Sequence, residues 1–441
     1  MSAIERQDWL AARGAALRGS LRVPGDKSVS HRAVMLGALA DGATTISGFL
    51  EGEDTRATAR ILEQLGVRIE APTAGDRVVH GVGMRGLRGA DRPLDCGNAG
   101  TGMRLLAGLL AGQAFDSTLV GDASLSKRPM RRVVEPLAAM GARIDAGDGG
   151  LPPLHIHGGR VLHGIDYALP VASAQVKSAL LLAGLYAQGE TIVREPHPTR
   201  DYTERMLGAF GWPIDFAPGM VRLSGGHKLH ATTVAVPSDF SSAAFFLVAA
   251  SVIPGSQLRL VAVGMNPRRT GLLHALRLMG ADIREEGMRE QGGEPVADLI
   301  VRHAPLRGIE VPPALVPDMI DEFPALFVAA ACARGATVIR GAAELRVKES
   351  DRIATMAQGL QALGLAIEET ADGAVIHGGA IRSGTVDSHG DHRIAMSFAV
   401  AAQVAEGEIR IGDVGNVATS FPGFVPLATG AGMALRGARA A

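Results

Sequence analysis

LDCGNAGTGMRLLAGLLAGQAFDSTLVGDASLSKRPMRRVVEPLAAMG, residues Leu94–Gly141, holds one full turn of the pattern that decides the fold. A polar, Gly-rich start leads into an apolar helix of small residues beginning near Ala99. A Gly turn and the β-branched strand STLVGD (117–122) follow. A second, amphipathic helix then closes the unit at Met140-Gly141, where glycine supplies the left-handed residue that terminates a helix.

Working outward, the same unit recurs six times. Its strands read TTISGF, STLVGD, TIVREP, QLRLVAV, TVIRGA and EIRIGD. Second helices end at Leu65-Gly66, Met140-Gly141, Phe210-Gly211, Met279-Gly280 and Leu363-Gly364. First helices begin near Ser28, Ala99, Ala174, Ser241, Asp321 and Asp391, at spacings of 71, 75, 67, 80 and 70 residues. That period exceeds the ~20–50 residues of common solenoids and suits a β-α-β-α-β-type unit forming part of a globular domain. Six copies divide as three plus three. Two similar α/β domains are therefore predicted, with a break near Val236–Pro237; the opening strand before Pro24 can pair with either half.

Composition narrows the function. The chain has 441 residues, 47% hydrophobic and 20% charged, enough to bury sizeable cores. Forty-four basic residues against forty-five acidic ones leave a net charge of −1, which argues against a general nucleic-acid or membrane-surface binder. Aromatics at 4% make base-stacking platforms a poor fit. Two cysteines, Cys96 and Cys332, cannot build a disulfide framework or a cysteine-based metal site alone. The first twenty residues mix charges with small residues, so no signal peptide is expected. The longest apolar stretches, Ala243–Pro254 and Ala325–Ala333, fall short of the ~18–20 residues of a membrane span. A soluble cytoplasmic protein is the expectation.

Charged and polar residues gather at the helix starts. First helices open on Lys27-Ser28 with Arg32, on Asn98 to Arg104, on Ser173-Ala174-Gln175, on Asp239 to Ser242, on Asp321-Glu322 and on Asp391-His392-Arg393. Second helices open on Asp54-Thr55-Arg56, Ser126 to Pro129, Thr199-Arg200-Asp201, Asn266 to Arg269 and Lys348 to Arg352. Free N–H groups and the helix dipole make such ends anion sites, whereas Lys and Arg there oppose the dipole. The cations make sense if an anion binds between them. For any single copy, an N-cap or a solvated arginine explains the residues as well. Pro24-Gly25-Asp26-Lys27-Ser28 lacks the spacing of a nucleotide phosphate loop. His155-Ile156-His157 and His389-Gly390-Asp391-His392 lack a supporting ligand cluster, so no metal is expected. The combined pattern is what favours anion chemistry.

At these residues the chain resembles the 5-enolpyruvylshikimate-3-phosphate synthase family. The likeness is carried by PGDKSVSHRAVMLGALADG (Pro24–Gly42), LDCGNAGTGMRLLAGLLAG (Leu94–Gly112), SLSKRPMRRVVEPL (Ser124–Leu137), SAQVKSALLLAGL (Ser173–Leu185), LRVKESDRI (Leu345–Ile353) and DHRIAMSFAVAA (Asp391–Ala402). SAQVKSA, TRDYTE, MNPRRTG and IDEFP are similar to its class II branch. The resemblance implies the enolpyruvyl transferase fold, two inside-out α/β domains each built from three repeated β-α-β-α-β-β units. It places residues 22–236 in one domain and 1–21 with 237–441 in the other, with the active site in the cleft between them.

The implied reaction transfers the enolpyruvyl group of phosphoenolpyruvate to the 5-hydroxyl of shikimate 3-phosphate, on the way to chorismate. By resemblance, Lys27, Ser28, Arg32, Ser173, Gln175, Thr199, Arg200, Asp321 and Lys348 hold shikimate 3-phosphate. Lys27, Gly100, Arg128, Gln175, Glu349, Arg352 and Arg393 hold phosphoenolpyruvate. Asp321 is the expected base at the 5-hydroxyl, Glu349 the expected proton-transfer group at C3, and Lys27 a further catalytic contact. No cofactor is expected, the enzyme is expected to be a monomer, and glyphosate is an expected inhibitor because Gly100 is glycine. Two positions depart from class I: Thr419 stands where a Lys is usual, and Glu344 where an Asn is usual. The sister transferase acting on UDP-N-acetylglucosamine typically uses a loop cysteine, and Gly121–Arg131 has none. A non-catalytic anion binder would need losses at these positions that the sequence does not show.

Overall fold

Capping starts most of the predicted first helices. Asp26, Ser173, Asp239 and Asp391 each accept a hydrogen bond from a backbone N–H in the first turn of the helices Lys27–Leu39, Ala174–Gly184, Phe240–Val252 and His392–Ala402. Gly100–Ala111 and Phe323–Ala331 begin without a side-chain cap. The fifth helix starts two residues later than the sequence suggests, because Pro324, lacking an N–H, fits its first turn. Asp321 therefore stands just ahead of the helix.

The computed structural model describes Gln7–Arg439. It divides into two units: one of Gly25–Pro237 with Glu290–Glu294, the other of the described chain up to Pro24, Ser238–Arg289 and Pro295 onward. Each has its own apolar core. Helices form those cores, and sheets lie against them. Every residue of Phe240–Val252 is buried, whereas in strands such as Glu190–Arg194 buried positions alternate with half-buried or exposed ones. The inside-out α/β expectation holds.

Among the described residues each unit contains three small sheets. Five of the six share one scheme, and that of the fifth copy has only the antiparallel strands Ala336–Ile339, Gly373–His377 and Ile367–Thr370. In the second copy, Leu94–Asp95 runs parallel to Ser117–Val120, which pairs antiparallel with Leu151–His157 and through it with Arg143–Gly147. Distant segments complete the outer copies. Leu229–His230 and Thr233–Ala235 run parallel to Ala40–Ser47 of the first copy. In the other unit, Arg18–Leu21 runs parallel to Gln257–Gly264. Gln7–Ala12 lies between Ile409–Gly412 and Ala434–Arg439 in the sixth sheet. The opening strands thus belong with the C-terminal copies. The sixth copy also has a second helix, Phe424–Ala431, beyond the five that the sequence predicts; it ends at Gly432 in the left-handed region. Gly66, Gly141, Gly211, Gly280 and Gly364 all have φ between 81° and 99°, the conformation expected of those helix ends.

Backbone contact fixes the helices that carry the site. Gly100–Ala111 lies so close to Ala174–Gly184 that a Cβ on Gly108 would run into the carbonyl oxygen of Ala179. Gly108→Ala is expected to destabilise the fold by about 1–3 kcal/mol through overpacking, since a backbone carbonyl cannot rotate away. A urea midpoint unchanged from the parent would show that the two helices separate freely.

Candidate active site

Within the N-terminal unit the structure brings the predicted residues into two groups. Lys27 opens its helix one residue after the capping Asp26, and its ammonium pairs with Asp54 at the start of the second helix. Arg32, one turn further and buried, donates through Nε to Thr203 Oγ1 (2.7 Å), Nη1 to Ser28 O (2.9 Å) and Nη2 to Ser178 Oγ (2.8 Å). Three of its five N–H bonds are used, and its orientation is set by hydroxyls. Burial pulls this guanidinium down to about 10; Glu204, Asp26 and Tyr202 oppose that, and nearby Arg200 adds to it. Arg32, with the charge of Arg200 near enough to lower its pKa, and Lys27 at the same helix start form a place for a dianion. His31, beside Thr58 Oγ1 (2.8 Å), is kept neutral, its pKa driven well below the usual value by burial, Lys27 and Arg32.

The second group surrounds Gly100. Arg128 precedes Pro129, which biases it toward extended backbone, and it sits at φ −89° and ψ 127° between a short turn and the helix Arg131–Ala139. It therefore stands before the second helix of its copy. Its Nη2 donates to Asn98 Oδ1 (2.7 Å), and Asn98 donates in turn to Asp122 Oδ2 (2.8 Å). Gln175, in the first turn of the helix that Ser173 caps, accepts from Arg104 Nη1 (2.5 Å) and donates to Thr101 Oγ1 (2.8 Å). A Cβ on Gly100 would lie 3.1 Å from Arg128 Nη1 and 3.5 Å from Arg104 Nη1. Gly100, Arg128 and Gln175 thus meet around Arg104. Arg104 stands one helical turn after Gly100 and so on the same face, a position that a helix-start pattern does not single out.

The C-terminal unit holds the carboxylates. Arg352, with its side chain 2% exposed, donates through Nε to Asp391 Oδ2 (2.8 Å) and through Nη2 to Glu349 Oε2 (2.6 Å). Its Nη1 lies 3.5 Å from Asp321 Oδ1 but makes no hydrogen bond among the described residues. Burial alone would lower this guanidinium; Asp391, then Glu349 and Asp321, outweigh it and hold the charge firmly. The other oxygen of Asp321 lies 3.3 Å from Arg269 Nη1. Beneath them, buried Glu322 pairs with Arg269 (3.6 Å) and Arg393 (3.9 Å) and accepts from Ser241 Oγ. Arg269 was visible only as one cation among several at the Asn266–Arg269 helix start. What distinguishes it is burial, which a helix-start pattern does not report.

Two departures from the class I pattern acquire local accounts. Glu344 accepts from Lys348 Nζ (2.6 Å) across the turn Ala343–Val347, so it orients a predicted binding lysine. Thr419 turns its hydroxyl to the carbonyl of Asn416 (2.7 Å). Burial pushes the Cys96 thiol up, and Cys332 up to about 12, so neither behaves as a nucleophile. Among the described residues no helix is long and apolar enough to cross a membrane, and no group of three or more His, Cys, Asp or Glu is placed to hold a metal ion.

Inside-out α/β units with cationic helix starts and a buried arginine–carboxylate network define a protein of the enolpyruvyl transferase fold. The sequence profile of EPSP synthase (3-phosphoshikimate 1-carboxyvinyltransferase) matches residues 11–427. A 3-phosphoshikimate 1-carboxyvinyltransferase of Xanthomonas euvesicatoria pv. vesicatoria is 71% identical over 427 residues, covering 97% of each chain. One from Xanthomonas oryzae pv. oryzae is 71% identical over 430 residues, covering 98% of each. Among solved structures, EPSP synthase from Acinetobacter baumannii superposes with a TM-score of 0.90 at 52% identity, over 98% of this chain and 100% of that one. The enolpyruvyl transferase NikO from Streptomyces tendae gives 0.80 at 20% identity over 99% and 100%, a likeness of fold alone. The chain belongs to the EPSP synthase family. It is a transferase of aromatic amino acid biosynthesis, with small molecules as substrates.

Proposed function

We propose that the chain transfers the enolpyruvyl group of phosphoenolpyruvate to the 5-hydroxyl of shikimate 3-phosphate, releasing phosphate, with the residues of both units in the following roles. Lys27, Ser28, Arg32, Ser173, Gln175, Thr199 and Arg200, with Asp321 and Lys348, take shikimate 3-phosphate. Lys27, Gly100, Arg128, Gln175, Arg352 and Arg393 take phosphoenolpyruvate, with Glu349 beside it. One observation carries this reading: buried Arg352 links both proposed proton-transfer carboxylates, yet among the described residues its Nη1 has no hydrogen-bond acceptor. A carboxylate or phosphate oxygen would complete it.

Addition and elimination follow from the arrangement. Asp321, between Arg269 and Arg352, is favoured as an anion by both and can accept the 5-hydroxyl proton. The 5-oxygen bonds to C2 of phosphoenolpyruvate as Glu349 gives a proton to C3. The tetrahedral adduct then collapses as the Glu349 carboxylate takes a proton back from the C3 methyl, the C2–C3 double bond re-forms and phosphate leaves from C2. The guanidiniums stabilise the charge that develops on carboxylate and phosphate oxygens. Phosphate release that requires both substrates together tests the activity; release from phosphoenolpyruvate alone would overturn it. The enzyme is further proposed to act as a cytoplasmic monomer.

Glyphosate sensitivity is proposed on Gly100. A methyl there would press on Arg128 Nη1, which can swing, and on any ligand longer than phosphoenolpyruvate, which cannot. Gly100→Ala is expected to raise the inhibition constant for glyphosate more than the KM for phosphoenolpyruvate. Equal rises, or a parent enzyme indifferent to glyphosate, would defeat the steric account.

A further inference from the structure

Three buried charges in the third copy have no place in the chemistry above. Lys177, on the first helix, directs Nζ at Glu195 Oε2 and at Glu204 Oε1, each 2.8 Å away. All three side chains are at most 3% exposed. Glu195 follows the strand Glu190–Arg194, and Glu204 lies on the second helix Tyr202–Ala209, so the cluster ties together three elements of one copy. Burial would strip Lys177 of its proton, but Glu204 and Glu195 outweigh it and raise its pKa. Burial raises that of Glu204 despite the lysine.

The cluster converges on one residue of the connecting loop. Glu195 accepts from Thr199 N (3.3 Å) and from Thr199 Oγ1, and Lys177 Nζ approaches Thr199 O (3.5 Å). Every polar atom of Thr199 is therefore engaged from below. Arg200 is the next residue, and its charge is near enough to buried Arg32 to lower that arginine's pKa. A loop between a strand and a helix ordinarily has many conformations. Here charge-assisted hydrogen bonds in a dry environment hold it by side chain and backbone at once.

We propose that Lys177, Glu195 and Glu204 form a positioning cluster that fixes Thr199 so that Arg200 meets the phosphate of shikimate 3-phosphate. The inference rests on the assignment of Arg200 above. It also revises the part played by Thr199: its hydroxyl proton is committed to Glu195, and its contribution to binding is the placement of its neighbour.

Glu195→Gln keeps the shape and removes the charge that anchors the loop. It is expected to raise the KM for shikimate 3-phosphate ~10-fold while kcat and the KM for phosphoenolpyruvate stay within about 2-fold, since misplacement is felt at one substrate. Glu204→Gln, which removes the second carboxylate from Lys177 Nζ, is expected to act in the same direction and covers the case in which Glu195→Gln fails to fold. Arg200→Ala should raise the same KM, and adding Glu195→Gln to it should raise it no further, because a positioning effect disappears with the group positioned. Arg200→Ala without effect on that KM would remove the assignment of Arg200, and the inference with it. An effect of Arg200→Ala but none of Glu195→Gln and Glu204→Gln would overturn the inference alone. So would full additivity in the double variant, or equal rises in both KM values, which mark a merely structural role.

Discussion

Glu349→Gln is expected to lower turnover ~10²–10⁴-fold while substrate binding changes little, the size of effect that loss of one positioned general acid or base produces. The physical case begins with Arg352. Its Nη2 donates to Glu349 Oε2 (2.6 Å), and the carbonyl oxygen of glutamine can accept the same hydrogen bond. Shape and the arginine's orientation survive, and the titratable proton does not. Because the Glu349 side chain is 29% exposed, the fold should be nearly indifferent to the change. Loss in kcat and in kcat/KM together, with KM for phosphoenolpyruvate held, is the signature of an interaction made in the transition state. Asp321→Asn should lose turnover on the same scale, with a modest fall in stability, since Arg269 and Arg352 then share one fewer counter-charge. Steady-state kinetics on both variants decides the matter. Turnover near that of the parent in either would take that residue out of the mechanism.

Much of this arrangement was legible in the chain because the fold repeats. A glycine after each second helix, a capping residue before most first helices and a β-branched run between them are local signals, and six copies let each confirm the others. The sixth second helix escaped because Phe424–Ala431 ends on Ala431-Gly432 and lacks the larger apolar residue that marks the other ends. Strands supplied from afar escaped for a different reason. Nothing local to Gln7–Ala12 says that it completes a sheet with Ile409–Gly412, since pairing partners are fixed by tertiary context. The site divides along the same line. Lys27, Arg128, Glu349 and Arg352 stand at helix starts, where the pattern points. Arg104, Arg269 and the Lys177 cluster are read through burial and hydrogen bonds that cross between elements. A lysine in SAQVKSA and a glutamate in TRDYTE each resemble solvated surface until the fold brings them within 2.8 Å.

Arg352→Met is expected to abolish measurable transfer and to destabilise the protein by about 3–5 kcal/mol, because removing one partner of a buried ion pair strands the other. The three carboxylates do not suffer equally. Glu349 is partly exposed and can turn to water, and Asp321 keeps Arg269. Asp391 is fully buried and loses the 2.8 Å donor to its Oδ2, retaining Ser350 Oγ (3.2 Å) and the N–H of Arg393 (2.9 Å). Since Asp391 also caps the helix His392–Ala402, the loss reaches Arg393, a second proposed ligand of phosphoenolpyruvate, at the first turn of that helix. Arg352→Lys separates charge from geometry. An ammonium restores a cation beside Asp391, so most of the stability should return. It cannot reach Asp391, Glu349 and Asp321 from the three nitrogens of a planar fork, so kcat/KM for phosphoenolpyruvate should stay ~10²–10³-fold down. Chemical denaturation and initial rates on the two variants separate these effects. A lysine variant with the activity of the parent would show that charge alone suffices there, and a methionine variant of unchanged stability would show that Asp391 needs no counter-ion.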